Sequence, residues 1–298
     1  MRLGLVLAAV LVCLGLASPA FAACALGAAG GTERVALGGT GRTLLLHRPA
    51  GTGEDRLPLV FLFHGSGGNA AARLDSSGLA ATADKHGFIV AAADAGIALE
   101  TGFAWNIPGV PTIAGTVPTP ADPDDVAFVG KAVDHLVMQG CADAARVYAT
   151  GLSGGGRMTS WLGCVAAGRF AAIAPVVGLR AGNPLASDPS RPDPATCRPA
   201  RAVPVMAFAG EADTTNPVAG GGAGYWQYSM LAGMERWAAL GGCRNGPSAR
   251  ALSPERWEYR WTRCGGNAEV IAHMVTGGGH SWVADNDAMW AFFARHRR

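Results

Sequence analysis

The sequence carries almost no net charge and very few lysines. It has 24 lysine and arginine residues against 22 aspartate and glutamate residues, and Lys85 and Lys131 are its only lysines. Proteins that bind nucleic acid concentrate positive charge on one face of the molecule. The near balance therefore argues against a nucleic-acid partner and favours an uncharged one.

Long apolar runs are also missing. The run from Leu3 to Leu16 is shorter than the ~18 to 20 residues that a membrane-spanning helix needs. It follows Arg2 and precedes the small-x-small triplet Ala20-Phe21-Ala22, which is the pattern of a secretory signal peptide. We therefore expect residues 1–22 to be removed, with no membrane span in the mature chain.

Residues 23–298 are then predicted to form one exported domain, extracellular or periplasmic, because no change of composition divides them. An alternative is a bacterial lipid anchor on Cys24. The aromatic residue three positions before Cys24 argues against that alternative.

Metal-ligand spacing is absent. The sequence contains no CxxC pair and no histidine at ligand spacing from a cysteine, so no metal is expected. Cys13 would leave with the signal peptide. An exported chain with six remaining cysteines predicts three disulfides, whose pairing the spacing alone leaves open; the six are Cys24, Cys141, Cys164, Cys197, Cys243 and Cys264.

What the chain does have is an alternation of strand-like and helix-like segments. A hairpin pattern at RVALGGTGRTLLLHRP precedes buried-strand patterns at LPLVFLFHG, GFIVAAAD, RVYAT, FAAIAPVVG, VPVMAFAG and VIAHMVTGGG. Helical patterns lie at residues 70–86 and at DPDDVAFVGKAVDHLVMQG, GGRMTSWLGCVAAG, WQYSMLAGMERWAALGG and DNDAMWAFFARHRR. This alternation predicts an α/β protein whose mostly parallel sheet is covered by helices on both faces.

Two features of this pattern bear on the loops. The stretch from Ala95 to Pro123 is rich in proline and is predicted to be a long functional loop. Asp124 and Asp125, which follow it, are predicted to cap the next helix.

The glycine-rich turn at residues 151–155 contains the candidate nucleophile. Gly151-Leu152-Ser153-Gly154-Gly155 fits G-x-S-x-G between a predicted strand and a predicted helix. A serine at such a turn has a strained backbone, and side chains two residues to either side would collide with the adjoining elements. The motif alone is weak evidence in a chain with 43 glycines, so its partners matter.

A serine hydroxyl needs a base, and the base needs a carboxylate to orient it. Asp213 follows the strand VPVMAFAG, and His280 follows the strand VIAHMVTGGG. Both positions are at strand ends that a parallel sheet brings to the edge where Ser153 lies.

Other residues could take these two roles. Glu211 or Asp285 could supply the acid in place of Asp213. His273 lies inside an apolar strand and is predicted to be packed in the core, whereas His296 lies in a basic tail that is predicted to be solvated.

A second glycine-rich loop, FHGSGG, ends an earlier buried strand. It can present the backbone N–H of Ser66 or Gly67 opposite the N–H of Gly154, and two such donors would form an oxyanion hole. His64 is interpreted as a scaffold for this loop.

Three tryptophans lie in or beside loops expected at the active edge. Trp105, Trp226 and Trp282 are candidates for lining a substrate pocket, and core packing is the alternative for each.

With these residues placed, the chain resembles the exported polyhydroxybutyrate depolymerase and feruloyl esterase family of α/β-hydrolases, which is related to carbohydrate esterases. The resemblance runs from about Thr43 to the C-terminal helix. It rests on the segments FHGSGG, DDVAFV, RVYATGLSGGGRM, FAAIAPVVG, GEADTTNPVAGGG, RWAALGGC and GGGHSW.

The resemblance implies an α/β-hydrolase fold. It places the nucleophile on Ser153, the acid on Asp213 and the base on His280, and it implies that Cys243 pairs with Cys264. Family members often have asparagine at the position of Gly154, where this chain departs from them.

The sequence therefore predicts a secreted serine esterase, a monomer without cofactor or metal, whose partner is a small or polymer-borne ester. The esters expected are polyhydroxyalkanoate oligomers or the feruloyl and acetyl esters of polysaccharide. Two alternatives remain open: a serine peptidase on the same scaffold, and an exported protein that binds esters or sugars without turnover.

Overall fold

A ten-stranded sheet runs through the molecule in the order β1-β2-β4-β3-β7-β8-β11-β14-β13-β12. The computed structural model describes residues 24–51 and 56–298, and the expected signal peptide at 1–22 lies outside them. The strands are β1 (Gly31–Leu37), β2 (Arg42–Arg48), β3 (Leu57–Phe63), β4 (Ile89–Ala93), β5 (Ile97–Ala98), β6 (Phe103–Ala104), β7 (Ala142–Leu152), β8 (Ala172–Val176), β9 (Pro184–Leu185), β10 (Asp188–Pro192), β11 (Val205–Gly210), β12 (Asn245–Ser253), β13 (Arg256–Thr262) and β14 (Val270–Val275).

The six central strands of this sheet are parallel, and the two at each edge are antiparallel. This arrangement confirms the mostly parallel sheet that the sequence predicts. The helices are α1 (Ala70–Ser77), α2 (Leu79–His86), α3 (Asp125–Met138), α4 (Gly154–Val165), α5 (Met230–Leu240) and α6 (Asn286–Ala294).

Strand β3 shows why the central strands are apolar throughout. Phe61 and Phe63 pack into the hydrophobic cluster on one face of the sheet, and Val60 and Leu62 pack into the cluster on the other. Successive side chains of a strand point to opposite faces, so a strand covered on both sides needs an unbroken apolar run.

Two predictions about secondary structure are wrong in detail, and one pair of strands was missed. The helical segment at 70–86 is two helices, because Gly78 takes a left-handed φ of 67° between them. Helix α5 begins at Met230, after its cap Ser229, and not at Trp226. The hairpin of β12 and β13 was not expected, and every residue of β12 is exposed.

Asp124 and Asp125 have different roles although they are neighbours. Asp124 caps α3 by accepting a hydrogen bond from the N–H of Ala127, as predicted. Asp125 is fully buried and pairs with Arg42 at 2.7 Å, so its prediction as a cap is wrong. Its carboxylate also accepts from the backbone N–H of residues 96 and 106, which fixes the loop that the sequence places at 95–123.

The same long loop contains a small hairpin, β5 and β6. Phe103 in β6 donates its N–H to the carbonyl of Gly68 and accepts from the N–H of Gly67. The loop is thereby joined to the FHGSGG segment.

Three disulfides join the cysteines: Cys24–Cys141, Cys164–Cys197 and Cys243–Cys264. The last is the pair that the family resemblance implies. None of the helices in the described ranges is both long and apolar enough to cross a bilayer.

The C-terminal residues lie against the start of β7. The N–H of Arg298 donates to the carbonyl of Ala145, and its side chain donates to the carbonyl of Ala144. His296 is 3 % exposed and packs on Phe292, so the prediction of a solvated tail is wrong at this residue.

Candidate active site

Ser153 lies in the tight turn between β7 and α4. Its backbone has φ 53° and ψ −111°, a left-handed conformation that a non-glycine residue adopts only under strain. Its N–H donates to the carbonyl of Val176, and its carbonyl accepts from Arg157 N–H, so both neighbours hold it in place.

The glycines around Ser153 are required by close backbone contacts. A Cβ on Gly151 would lie 2.7 Å from the carbonyl oxygen of Phe63, and one on Gly155 would lie 2.2 Å from the same atom. Both distances are too short for any side chain, which is the steric reason the motif predicts.

Gly154 and Ser66, whose N–H groups are the candidate oxyanion donors, lie against each other beside Ser153. A Cβ on Gly154 would lie 2.8 Å from the nitrogen of Ser66 and 2.4 Å from its Oγ, so these two residues are packed together. The N–H of Gly67 already donates to the carbonyl of Phe103. Of the two loop donors that the sequence offered, Ser66 is therefore the one available for an oxyanion.

The packing at Gly154 also bears on the departure from the family pattern. An asparagine there would collide with the side chain of Ser66 in its present position. Glycine at position 154 therefore fits beside Ser66, whereas asparagine at position 154 would not.

Asp213 and His280 are joined directly. Oδ2 of Asp213 lies 2.8 Å from Nδ1 of His280, and its Oδ1 accepts from the N–H groups of Thr215 and Asn216. Because a carboxylate can only accept, Nδ1 of His280 is the protonated nitrogen. Nε2 is then left with a free lone pair, which is the form a general base needs.

Ser153 and His280 line the same cleft, whose volume is about 310 Å³. Within the described residues no hydrogen bond joins the Ser153 hydroxyl to the imidazole. Catalytic hydrogen bonds are often long without substrate, so this geometry is compatible with proton transfer. Ser153 itself is 9 % exposed at the floor of the cleft.

The competing acids have other partners. Glu211 accepts a hydrogen bond from the N–H of Gly277, and Asp285 caps α6 through the N–H of Ala288. Asp213 is the one of the three candidates that contacts His280.

The other histidines near the sheet are structural. Nδ1 of His64 lies 2.7 Å from the carbonyl of Gly65, and its Nε2 accepts from the N–H of Ala95, which ties two loops together. Burial lowers the pKa of His64 and that of His273, so both imidazoles are kept neutral. His273 is packed in the core beside Phe208, as predicted.

The three tryptophans lie outside the lining of this cleft. Trp105 is 4 % exposed and donates its indole N–H to the carbonyl of His64, and Trp226 donates to the carbonyl of Pro217. Trp282 donates to Asn286, and the guanidinium of Arg73 lies 5.8 Å from its ring. Trp105 and Trp226 thus brace loops, and Trp282 lies behind a residue of the cleft.

Two side chains at the site were missed by the sequence analysis. Arg157 is 4 % exposed and donates to Oγ of Ser66 at 3.2 Å. Asn216 donates to the carbonyl of Val177, a residue with φ 42° beside the nucleophile turn. Arg157 lies four residues after Ser153, the cap of α4, and residues four apart lie on the same face of a helix. This spacing could have indicated that Arg157 lies on the side of α4 that faces the serine.

A larger cleft of about 450 Å³ lies between the long loop and α4, and it includes Asn106, Asp122 and Trp161. It contains neither a serine nor a histidine. The candidate nucleophile and base both line the smaller cleft. No group of three or more metal-ligating side chains occurs among residues 24–51 and 56–298.

Comparison with known proteins shows the family of the chain. The sequence profile of the family described as esterase PHB depolymerase matches residues 43–210. The chain belongs to this family. Its sequence is 30 % identical over 258 residues to feruloyl esterase B of Piromyces equi, an alignment that covers 84 % of this chain and 44 % of that protein. The chain thus spans less than half the length of this relative.

Solved structures share the architecture. The acetyl xylan esterase from Aspergillus awamori superposes with a TM-score of 0.62 at 16 % identity, covering 89 % of this chain and 99 % of that one. An S-formylglutathione hydrolase from Agrobacterium tumefaciens gives 0.57 at 13 % identity, covering 89 % and 94 %. These likenesses confirm the α/β-hydrolase fold, and at such identities they bear on the fold alone.

Proposed function

We propose that this member of the family is a serine esterase that works through Ser153, Asp213 and His280. The observation that carries the proposal is the cleft itself. Ser153 and His280 both line it, and Nδ1 of His280 is hydrogen-bonded to the buried carboxylate of Asp213.

The first half-reaction forms an acyl-enzyme. Oγ of Ser153 attacks the ester carbonyl while Nε2 of His280 takes the hydroxyl proton, and Asp213 holds the imidazole in the required tautomer. The carbonyl oxygen becomes an oxyanion, which the N–H groups of Ser66 and Gly154 would receive. Nε2 then returns the proton to the departing alkoxide, and the alcohol leaves.

In the second half-reaction, water replaces the alcohol. His280 takes a proton from the water as it attacks the acyl carbon. As the second tetrahedral intermediate collapses, His280 returns that proton to Oγ of Ser153, and the acid is released. The chain's own residues supply every proton transfer in this cycle, so the mechanism needs neither a metal nor a cofactor.

The substrate class that we propose is carboxylic esters of short acyl or aryl acids. The family description and the feruloyl esterase relative support two forms of this class, namely hydroxyalkanoate oligomers and esters borne on polysaccharide. A panel of methyl ferulate, acetylated xylan and hydroxybutyrate oligomers would rank them.

Covalent labelling tests the proposal directly. A fluorophosphonate probe should label the wild-type protein stoichiometrically, and Ser153→Ala should abolish the labelling. Ser160→Ala is the matched control, because Ser160 is a buried serine on the same helix whose hydroxyl donates to the carbonyl of Gly156. A wild-type protein that resists the probe would favour a binding protein over an esterase.

A comparison of p-nitrophenyl esters with the corresponding anilides separates esterase from peptidase. We expect an initial burst of p-nitrophenol from the esters and no comparable turnover of the anilides. Faster cleavage of the anilides would favour the peptidase alternative.

Export is part of the same proposal. Three disulfides support an oxidising compartment. The signal peptide at 1–22 stays a prediction, and N-terminal sequencing of the exported protein should begin at Ala23. Analytical ultracentrifugation of that protein should show the expected monomer.

A further inference from the structure

The cleft at Ser153 contains one permanently charged side chain, Arg73. Its lining otherwise consists of glycines, small polar residues, Ala72, Leu152 and two histidines, and it includes no carboxylate. Arg73 lies on the first turns of α1, which begins where the Ser66 loop ends. Among the residues that line the cleft, Arg73 is therefore the one whose charge a ligand would meet directly.

Arg73 has no acidic partner in the described part of the chain. No carboxylate among those residues lies within ion-pair distance of it, and its Nε is buried without a hydrogen-bond partner. Burial lowers the pKa of Arg73, with no acidic neighbour opposing that effect. A guanidinium that is partly withdrawn from water and left unpaired gains most from an anion supplied by a ligand.

The side chain is also held in place. Its guanidinium carbon lies 5.8 Å from the centre of the Trp282 ring, which supports a cation–π contact. Trp282 is in turn fixed by its hydrogen bond to Asn286, and it lies two residues beyond His280. The charge of Arg73 is therefore held in position, next to the segment that contains His280, before any substrate binds.

We propose that Arg73 is a specificity residue that binds a carboxylate carried by the ester substrate. This inference rests on the proposed esterase function and narrows it to esters with a free carboxylate within a few bonds of the scissile carbonyl. The carboxylate can belong either to the acyl part or to the alcohol part, and both would present the same anion to the guanidinium.

Matched ester pairs test the inference and distinguish the two sources. For the acyl part, the pair is p-nitrophenyl hydrogen adipate and p-nitrophenyl methyl adipate. For the alcohol part, the pair is 4-acetoxybenzoate and its methyl ester. At pH 7 the wild-type enzyme should prefer the anionic member by about tenfold in kcat/KM in at least one pair, and the preference should reside in KM.

Arg73→Met should reduce that preference to about one, and Arg73→Lys should restore part of it. Arg295→Met is the matched control, because Arg295 is a half-exposed arginine that pairs with Glu269 and lies outside the cleft. It should keep the wild-type preference. If Arg73→Met fails to fold, the salt dependence of the wild-type preference tests the inference instead. Sodium chloride should weaken the preference for the anionic ester.

The outcomes separate the two levels of the proposal. A wild-type protein that is labelled at Ser153 but shows no preference in either pair would overturn the role of Arg73 alone. That role is equally overturned if Arg73→Met keeps the preference or if the wild-type preference is independent of salt. A wild-type protein that is not labelled would overturn the esterase function, and this inference with it.

Discussion

Nη2 of Arg157 lies 3.2 Å from Oγ of Ser66 and holds that side chain against Gly154. The guanidinium is buried over the ring of Tyr225, at 4.3 Å from its centre, and its Nε and Nη1 have no partner among the described residues. Burial lowers the pKa of Arg157 to about 10, so the side chain is still charged at neutral pH. A buried positive charge therefore lies directly behind the two candidate oxyanion donors.

Replacing Arg157 by methionine should lower kcat for a p-nitrophenyl ester by roughly 10- to 100-fold with little change in KM. The reason is that Ser66 loses its anchor and the oxyanion loses a nearby charge, both of which matter only in the transition state. Steady-state kinetics on protein counted by fluorophosphonate labelling would measure the loss.

Arg201→Met is the control for this prediction, because Arg201 donates to the carbonyl of Ala167, which lies between α4 and β8 and not in the lining of the cleft. It should leave kcat unchanged. In a Ser66→Ala background the Arg157 substitution should have a smaller effect, since its anchoring contact is already gone. Equal losses in both backgrounds would show that Arg157 does not act through Ser66.

Asp213→Asn should reduce kcat by about 10³- to 10⁴-fold, because an amide cannot hold the imidazole in the tautomer that leaves Nε2 free. The KM of the same ester should change little. Glu211→Gln is the neighbouring control, since the carboxylate of Glu211 accepts from the N–H of Gly277 in the described structure and not from His280. A large loss of kcat in Glu211→Gln and none in Asp213→Asn would mean that Glu211, and not Asp213, is the acid.

Gly155→Ala should lower the free energy of unfolding by about 2 to 3 kcal/mol, because the new Cβ would lie 2.2 Å from the Phe63 carbonyl oxygen and force the backbones apart. Gly168→Ala is the matched case, since a Cβ there meets no atom within 4 Å. Urea denaturation of both variants would measure the difference. Equal stability of the two would mean that the turn tolerates side chains.

The two adjacent aspartates should differ in their contribution to stability. Asp125→Ala leaves Arg42 partly buried without its counter-charge and should lower the free energy of unfolding by about 3 to 5 kcal/mol. Asp124→Ala removes only a helix cap and should lower it by about 1 kcal/mol. Thermal and urea denaturation of the two variants would measure this difference. A larger loss of stability in Asp124→Ala than in Asp125→Ala would contradict the prediction.

His296 should make the protein less stable as pH falls from about 6.5 to about 4. Burial lowers the pKa of His296 from 6.5 to about 4, so in this window the unfolded chain takes up a proton that the folded chain does not. Below pH 4 both states are protonated and the loss levels off. His296→Phe should show a smaller drop in urea midpoint between pH 7 and pH 5 than the wild type.

The parts of this fold that could be predicted follow from local sequence patterns and from the topology of a parallel sheet. The apolar run of β3 predicts a strand covered on both faces, and G-x-S-x-G predicts a sterically crowded turn at Ser153. The order of Asp213 and His280 along the chain predicts their meeting, because parallel strands bring their carboxyl ends together. The structure joins these two residues as that rule requires.

Two of the features that could not be predicted depend on partners distant in the chain, and a third depends on the backbone of one glycine. Asp125 looks like a helix cap until the fold brings Arg42 to it across 83 residues. His296 looks solvated in its basic tail until Phe292 and the neighbouring strands enclose it. Gly78 splits a continuous helical pattern because a single glycine is enough to end one helix and begin another.

The contact of Arg298 with Ala144 and Ala145 has a practical consequence for building larger proteins from this chain. Those residues lie at the start of β7, whereas Ser153 follows its end, so the length of an 11-residue strand separates them. A linker and cargo domain fused after Arg298 would leave the molecule from the side away from the cleft. Such a fusion could hold the enzyme on a solid polymer without obstructing access to the serine.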